Sequence, residues 1–353
     1  MEINKEYIFL GSGPICLIKA MLLLKSESTT KITFIDSASQ GGGAWYSDVS
    51  PEGSEIETGC HIWSYCPITY QFIEEEIGVP LFDMTPAPVF NRGRINISYG
   101  LKGTLDSYKF ILTNLLKLKF DVLKNIRNLP NIHFRLFGKR NKYPKNGSPE
   151  FIEKLLKKLE KDKRVSFVFD TDAKVIDIGS NTTVKCSDKL IECDKVFLTS
   201  TSALEELNFY DKKIEVAKEI RSVNYIHYLV QLSFPAVRKT SYIRLTSDEI
   251  IHRITDVSYQ SNSGENLILI GVKEAATGLY SQDEIMAHVQ SNLLSQKIIN
   301  ENSKVTFAKD YCFPTHYSNE KVRAAINELE NNKIELLHST DLMYGIQALL
   351  QDS

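Results

Sequence analysis

The strongest structural signal in this sequence is the stretch Glu6-Tyr7-Ile8-Phe9-Leu10-Gly11-Ser12-Gly13-Pro14-Ile15-Cys16. An apolar segment leads into a glycine turn, and the turn leads into an apolar helical pattern, which together predict the start of a βαβ unit. Gly11 allows the tight turn, and Gly13 lets the backbone approach a pyrophosphate at the free N–H groups of the helix. The stretch therefore predicts a dinucleotide-binding turn with contacts from Gly11, Gly13, Pro14 and Ile15.

The next segment supplies an acid at the spacing that such a turn requires. Residues 31–35 read as a second strand, and Asp36 ends it, roughly 20 residues after the turn, where a carboxylate accepts hydrogen bonds from ribose hydroxyls. We expect Asp36 and its neighbour Ser37 to contact the cofactor. Cys16 stands in place of the third glycine of the motif, and we expect its small side chain to allow the same close packing. An ordinary glycine turn without a ligand is the alternative.

The triple glycine at 41–43 favours FAD over NAD. A glycine pair just after the acidic residue lets the backbone pass close to the ribose and pyrophosphate of FAD, which predicts contacts from Gly42, Gly43 and Ala44. The segment Gly42-Gly43-Ala44-Trp45 also resembles the GGxW segment of flavin monooxygenases. Those enzymes need a second glycine turn for NADPH, and no later strand pattern in this sequence leads into one, which argues against a monooxygenase.

These motifs resemble those of the superfamily that contains FAD-dependent amine oxidases, protoporphyrinogen oxidases and UDP-galactopyranose mutases. Gly59-Cys60-His61-Ile62-Trp63 is similar to the Gly-Pro-His-Ile-Phe segment of the mutase branch, with Cys60 in place of the proline. The resemblance implies that Gly59 and His61 lie beside the flavin ring. His61 would orient the ring or donate a hydrogen bond to it and so tune its potential.

The same resemblance implies further cofactor contacts along the chain. Ala173 stands where the superfamily has a valine whose backbone binds adenine, and a strand near the cofactor ends at Thr199. The strand, turn and helix at the end of the sequence would return to the flavin through Asp341, Tyr344 and Gly345. His338-Ser339 replaces the usual Gly-Arg or Gly-Glu before this turn.

The resemblance also implies a substrate pocket. Arg253, on a predicted strand over residues 251–256, would hold an anionic substrate group by a bidentate contact. Tyr317, in the segment Tyr311–Tyr317, would form a wall of the flavin and substrate cavity. The alternative for Arg253 is a surface ion pair.

The fold class expected from this resemblance is α/β, with a Rossmann-type FAD-binding domain of the glutathione-reductase-2-like kind interleaved with a mixed-sheet substrate domain. The FAD-binding domain is expected to be discontinuous, at 1–95, 145–205 and 323–353. The substrate domain is expected at 96–144 and 206–322. The chain of 353 residues, 42% of them hydrophobic, is long enough for two such domains.

The composition of the chain restricts the kinds of partner that we expect it to bind. The net charge of -2 gives no reason to expect nucleic acid, and no apolar run approaches the length of a membrane span. The six cysteines have no CxxC spacing and no signal peptide is recognisable, so we expect reduced thiols in a cytoplasmic protein without a metal site. Residues 105–128 read as a basic amphipathic helix, for which packing over a core is favoured over contact with a membrane surface. The sequence leaves the oligomeric state open.

The function expected from the sequence is an FAD-dependent oxidoreductase of the amine oxidase or protoporphyrinogen oxidase-like type, acting on a small or amphiphilic molecule. His61, Arg253 and Tyr317 are the residues expected to take part in its chemistry. Two alternatives stay open. One is a redox-neutral, flavin-dependent isomerase acting on a nucleotide sugar, and the other is a binding protein on the same fold that holds no flavin.

Overall fold

The computed structural model describes residues 5–45, 47–57, 63–83, 89–90, 112, 116, 142–144, 146–178, 182–198, 204–209, 212–215, 220–236, 243–245, 248–258, 264–296, 298–318, 333–337 and 342–351. The predicted helix over 105–128 lies outside these residues, except for positions 112 and 116, which are helical.

The strands of the described part are, in chain order, β1 (Glu6–Leu10), β2 (Lys31–Ile35), β3 (Ser47–Val49), β4 (Glu55–Glu57), β5 (Leu81–Asp83), β6 (Val89–Phe90), β7 (Lys142–Pro144), β8 (Val165–Val168), β9 (Ala173–Ile178), β10 (Thr182–Cys186), β11 (Lys189–Cys193), β12 (Lys195–Leu198), β13 (Leu204–Phe209), β14 (Lys212–Glu215), β15 (Ile220–Leu232), β16 (Ile243–Leu245), β17 (Ile251–Asp256), β18 (Leu267–Val272), β19 (Val305–Ser318) and β20 (Ile334–Leu336). The helices are α1 (Pro14–Ser26), α2 (Pro67–Phe72), α3 (Ser148–Glu160), α4 (Glu274–Thr277), α5 (Gln282–Ser295) and α6 (Leu342–Gln351).

A five-stranded parallel sheet organises the first part of the fold. Its spatial order is β20-β12-β1-β2-β8, and every neighbouring pair is parallel. Numbered by their order within this sheet, the strands run 3-2-1-4-5, which is the arrangement of doubly wound dinucleotide-binding sheets. The α/β fold class expected from the sequence is confirmed.

A row of phenylalanines crosses this sheet on one face. Phe197, Phe9, Phe34 and Phe167 are successive cross-strand neighbours, with ring centroids 4.5, 4.9 and 4.8 Å apart. Because side chains alternate between the two faces of a strand, Tyr7 and Phe9 lie on this face while Ile8 and Leu10 lie on the other. Helices α1, α3 and α6 cover the phenylalanine face with their apolar residues.

The opposite face of the parallel sheet packs on a second five-stranded sheet, of order β11-β10-β9-β13-β14. The alternating pattern over 165–178 predicts two strands, and both form, but they do not pair with each other. β8 joins the parallel sheet and β9 joins the second sheet, because the chain turns sharply between them at Asp170, which has a φ of 53°. β13 and β14 extend this second sheet beyond residue 205, where the sequence places the start of the second domain. The division into domains stays a prediction.

The third sheet has six strands in the order β19-β15-β18-β17-β16-β6, antiparallel except for the pair β16 and β6. One of its faces packs on α5. The spacing of Ser281 and Glu284 in the sequence predicts a capping box at the start of this helix, and the structure confirms it. The Ser281 side chain accepts from Glu284 N–H, and the Glu284 carboxylate accepts from Ser281 N–H. The other face lies against the segment of chain that follows the triple glycine at 41–43. Among the residues described, no helix combines the length and the apolar character needed to cross a bilayer.

Glu335 on the edge strand β20 pairs with two lysines, Lys195 on the neighbouring strand β12 and Lys19 on helix α1. Its carboxylate oxygens lie 2.6 Å from Lys195 Nζ and 3.0 Å from Lys19 Nζ. Burial by itself raises the pKa of Glu335, but the hydrogen bonds and charges of the two lysines outweigh burial and hold the pKa below its ordinary value. Ionised Glu335 therefore stabilises the folded chain.

We expect Glu335→Gln to lower the free energy of unfolding at neutral pH by about 1–2 kcal/mol. Because folding lowers the pKa, this stabilisation is present above the unfolded carboxyl pKa of about 4.3 and is lost as the pH falls through the folded value. Urea denaturation between about pH 7 and pH 3 measures the difference from the unmodified chain, which should shrink at the acidic end.

Glu153→Gln is the matched control for this experiment. Glu153 and Lys157 form an i,i+4 pair whose side chains are 59% and 64% exposed, so the loss should be only about 0.3–0.5 kcal/mol. Equal losses for the two variants, or a Glu335→Gln difference that grows in acid, would contradict the role given to Glu335.

Candidate functional site: a dinucleotide cradle facing a mixed sheet

The predicted glycine turn forms at the carboxyl end of the central strand β1. Gly11 has a φ of 99°, a conformation that favours glycine, and its N–H donates to Ile35 O at 2.9 Å on the neighbouring strand. Helix α1 begins at Pro14, and no side chain caps it at Gly13. The first N–H groups of a helix have no acceptor within the helix, so those of Ile15 and Cys16 are available to an anion.

Asp36 lies directly beside this turn. Its Oδ2 accepts hydrogen bonds from Ser12 N–H at 2.7 Å and Ser12 Oγ–H at 2.5 Å, and its Oδ1 accepts from Ala38 N–H at 3.0 Å. A carboxylate oxygen has two lone pairs, so Oδ1 has capacity for a ribose hydroxyl. The backbone of Asp36 also accepts from Thr171 N–H at 3.0 Å, two residues before β9 begins at Ala173. Asp36, which the sequence predicts to bind the ribose, therefore lies near the start of the strand that begins at Ala173, which is predicted to bind adenine.

The triple glycine crosses over the first turn. Gly42 N–H donates to Ser12 O at 2.9 Å, and Gly42 and Gly43 have φ values of 118° and 57°. A Cβ on Gly43 would lie 3.4 Å from Gly13 Cα, so the two glycine loops are in close contact. Ala44 follows in a short 3-10 helix, Gly43–Trp45. Ser37 is exposed beside these loops.

We call the two glycine loops, residues 11–13 and 41–43, together with the start of α1, the cradle. Gly13 provides a test of whether this cradle fits a dinucleotide. Its φ and ψ of -66° and 162° suit any residue, and a Cβ placed there would meet no atom within 4 Å. The packing of the chain therefore does not require glycine at this position. The space that Gly13 leaves open lies between two glycine loops and the start of α1, where a pyrophosphate would fit.

Cys16 takes the place of the third glycine without disturbing the helix. Its side chain is fully buried in the core beneath α1. Burial, and to a lesser degree the charge of Asp36, raises the pKa of the thiol well above its ordinary range, so the thiol stays protonated. Cys16 therefore serves as a small apolar packing residue.

The second half of the candidate site lies on the six-stranded sheet, where β17 carries a bulge. Ile251 is opposite Val272 and Arg253 is opposite Gly271, which leaves His252 as the extra residue. Ile251 and Ile254 both pack in the core under α5, so the two residues between them share the other face. The bulge thus turns His252 and Arg253 to the same side of the sheet.

A row of cross-strand neighbours runs over this face through Tyr311, His227, Gly271 and Arg253, and we call it the polar row. Arg253 Nη2 lies 2.6 Å from His227 Nε2. Gly271 leaves room for the His252 ring beside this contact, because a Cβ there would lie 2.7 Å from two atoms of that ring and 3.1 Å from Arg253 Cβ. His227 is only 1% exposed.

The chain that follows the glycine loops covers the sheet face next to the polar row. Ile56 packs with Leu229, Leu267 and Leu269 of this face and with Tyr311 of the polar row. Lys309 Nζ also lies 3.0 Å from Asp48 Oδ2. The face that bears Arg253 therefore meets the segment that leads directly out of the two glycine loops.

Sequence reasoning missed two buried polar groups at this site. His227 lies in an apolar strand pattern that gave no reason to single it out. Glu57 is fully buried at the end of β4, where it accepts hydrogen bonds from Tyr143 Oη–H and Ser148 Oγ–H at the start of α3. A carboxylate at a helix N-terminus is stabilised by the helix dipole. No local sequence pattern indicates such a cap, because Glu57 and Ser148 are far apart along the chain.

Several predicted site residues stay predictions. Gly59, His61, Thr199 and Asp341 lie outside the described residues. Tyr317 occupies a strand position on β19 opposite Arg221. Tyr344 and Gly345 lie in the first turn of α6, where the Tyr344 side chain is 55% exposed.

The parallel sheet and the mixed sheet that faces it form a fold that is similar to that of FAD-binding oxidoreductases. No family model matches this sequence, and no curated protein is significantly similar to it. Solved structures are similar in fold, and they confirm the predicted resemblance at that level.

Three of these structures represent the branches named above. A reduced UDP-galactopyranose mutase has a TM-score of 0.69 and 14% identity, over 99% of this chain and 96% of that one. A putative protoporphyrinogen oxidase from Exiguobacterium sp. has a TM-score of 0.63 and 13% identity, over 100% and 98%. A putrescine oxidase bound to putrescine has a TM-score of 0.63 and 10% identity, over 99% and 98%. At these identities the likeness shows the fold alone.

Proposed function

We propose that this protein binds FAD and is an FAD-dependent oxidoreductase that acts on a small or amphiphilic substrate. The observation that supports this proposal most strongly is the open space at Gly13, at the carboxyl end of the central strand in a sheet of order 3-2-1-4-5. Ligands of open α/β sheets bind at this edge, where the strand order reverses. The full-length likeness in fold to flavin enzymes supports the choice of FAD.

Different residues of the cradle would bind different parts of the cofactor. The N–H groups of Ile15 and Cys16 would donate to the diphosphate, and the bare backbone of Gly13 and Gly43 would let it approach. Asp36 would accept from the adenosine ribose, and the backbone near Ala173 would bind adenine. When bound, the flavin supplies the electron or hydride transfer, and the protein supplies position and electrostatics.

The substrate would lie between the cradle and the polar row. Leu229 and Leu269, buried on the same sheet face, would exclude water from the reacting groups. Arg253 would bind a polar group of the substrate and so orient it. His61 would act on the flavin side of the cavity and Tyr317 on its wall, as the sequence predicts.

The visible spectrum of the purified protein tests this proposal. We expect the two visible absorption bands of oxidised flavin, either directly or after incubation with FAD and removal of the excess. Oxygen consumption on addition of substrate would then identify an oxidase. A folded protein that gains no flavin bands on incubation with FAD would contradict the proposal. It would favour the alternative function, a binding protein on the same fold that holds no flavin.

One observation favours a second candidate, a redox-neutral isomerase similar to the nucleotide-sugar mutases. Arg244 on β16 lies directly opposite Arg253 on β17, and mutases of this superfamily use a pair of arginines to bind a diphosphate. Activity on a UDP-sugar that requires dithionite-reduced flavin, without net consumption of the reductant, would identify this function. Turnover of the oxidised enzyme with oxygen would favour the oxidoreductase.

A further inference from the structure

We propose that Glu57 is a positioning residue for FAD. Through Ser148 and Trp45 it holds the second glycine loop, residues 41–43, in the conformation that the diphosphate requires. The proposal rests on the FAD binding proposed above, and it adds a buried carboxylate that lies outside both glycine loops.

The second glycine loop has little to hold it from within. Gly42 and Gly43 have φ values of 118° and 57°, and glycine loses more conformational freedom on ordering than any other residue. Three successive glycines also offer no side chain that could pack against a neighbour. The conformation of the loop therefore depends on the contacts at its two ends, and Trp45 is the first large side chain that follows it.

Helix α3 supports the loop at both of these ends. At the first end, a Cβ on Gly41 would lie only 2.8 Å from Leu156 Cδ2, so the helix packs directly against the loop. At the second end, Trp45 N–H donates to Gly42 O at 3.1 Å. Ser148 Oγ, in the first residue of α3, lies 3.5 Å from Trp45 O. A change at the start of α3 is therefore passed to the loop through Trp45.

The Glu57 carboxylate determines which way the Ser148 hydroxyl donates. Ser148 Oγ lies 2.5 Å from Glu57 Oε1 and 3.5 Å from Trp45 O, and a hydroxyl has one proton to donate. A carboxylate is a stronger acceptor than a main-chain carbonyl, so the proton goes to Glu57. Tyr143 Oη–H donates to the same carboxylate, which is completely buried. Without the carboxylate, the Ser148 hydroxyl would donate to Trp45 O and displace the end of the loop.

An aromatic cluster around this network makes such a displacement visible. The ring centroid of Trp63 lies 5.9 Å from that of Trp45, 5.2 Å from that of Tyr143 and 5.4 Å from that of Phe151 on α3. Trp63 is buried, so a displacement of Trp45 changes the contact between the two indole rings. These are the two tryptophans of the chain. The circular dichroism signal of the coupled indole pair therefore reports on the end of the second glycine loop.

The position of the loop should control the affinity for FAD. A Cβ on Gly43 would lie 3.4 Å from Gly13 Cα, so a displaced second loop changes the space at Gly13 where the diphosphate would fit. A loop that is already held in its binding conformation binds more tightly, because less ordering remains when the ligand arrives. Loss of the Glu57 contact should therefore weaken FAD binding without removing any group that contacts FAD.

Three variants of the full-length protein test this proposal by fluorescence titration of the apoprotein with FAD. Glu57→Leu should weaken FAD binding by at least about tenfold and change the indole-pair signal of the apoprotein. Glu57→Gln should retain most of the affinity and the signal, because the amide oxygen accepts from Ser148 and Tyr143. Ser148→Ala removes one hydroxyl, and it should change the signal and weaken FAD binding by about threefold or more. This milder variant decides the matter if Glu57→Leu does not fold.

Val289→Ala is the matched control for a general loss of stability. Val289 is completely buried under α5, in the core of the six-stranded sheet, and it belongs to none of the contacts described above. Its truncation should lower the urea midpoint, because it leaves a cavity. The affinity for FAD and the indole-pair signal should stay as they are in the unmodified protein.

Unchanged FAD affinity in both Glu57→Leu and Ser148→Ala would overturn the proposal. So would an equal loss of affinity in Val289→Ala, or a loss in Glu57→Gln as large as that in Glu57→Leu. Failure of the flavin assignment would look different, because the unmodified protein would then gain no flavin bands. In that case a changed indole-pair signal in Ser148→Ala would still support the positioning of the loop, and an unchanged signal would refute it.

Discussion

Replacing Gly13 by Asp should abolish the FAD binding that we propose, without unfolding the chain. The backbone of Gly13 has an ordinary extended conformation, and a Cβ would enter open space, so the folded chain accepts a side chain there. In the loaded protein the same space would hold the pyrophosphate, and the aspartate would bring both bulk and negative charge against it. We expect flavin content to fall close to zero while the urea midpoint of the apoprotein stays within experimental error.

Gly13→Ala gives a graded version of this experiment, because it adds bulk alone. We expect weaker FAD binding, by about tenfold or more, with unchanged or slightly higher stability of the apoprotein. The measurement is a fluorescence titration of the apoprotein with FAD.

Gly53→Ala is the control with the opposite pattern. Gly53 lies outside the two glycine loops of the cradle, has a φ of 87°, and leaves room for a methyl group, which would meet no atom within 4 Å. A non-glycine residue in this conformation costs about 1–2 kcal/mol, so stability should fall while FAD binding is retained. Full flavin content in Gly13→Asp would count against the placement of the pyrophosphate.

The largest loss of stability should follow from Phe9→Ala. Phe9 is completely buried at the centre of the parallel sheet, with its ring 4.5 Å from that of Phe197 and 4.9 Å from that of Phe34. Truncation removes a large apolar side chain and leaves a cavity between two rings that strands on either side hold in place. We expect the free energy of unfolding to fall by about 3–5 kcal/mol.

Phe167→Ala is the matched control for this prediction. Phe167 stacks on Phe34 at the end of the same row, but it lies on the edge strand β8 and is only half-buried. Its loss should cost clearly less than that of Phe9, since neighbouring groups and water can enter the space. Urea denaturation measures both variants, and equal losses would contradict the central role given to Phe9.

Local chemistry explains why the cradle could be predicted. Gly11 and Gly13 act through the backbone, and the Asp36 carboxylate acts at the end of the next strand of the same βαβ unit, so their spacing carries the signal. The capping box of Ser281 and Glu284 was predictable for the same reason, because its two hydrogen bonds join residues three positions apart.

The strand–turn–helix unit, the acid that ends the second strand and the α/β class can all be predicted from the order of the amino acids, since each depends on residues close together along the chain. The hydrogen bond that His227 accepts from Arg253 across Gly271, and the cap that Glu57 provides for α3 from 91 residues away, are visible only in the folded chain. These contacts depend on strand register and on a bulge in β17. A shift of one residue in register would turn every side chain to the other face, and no short-range pattern specifies it.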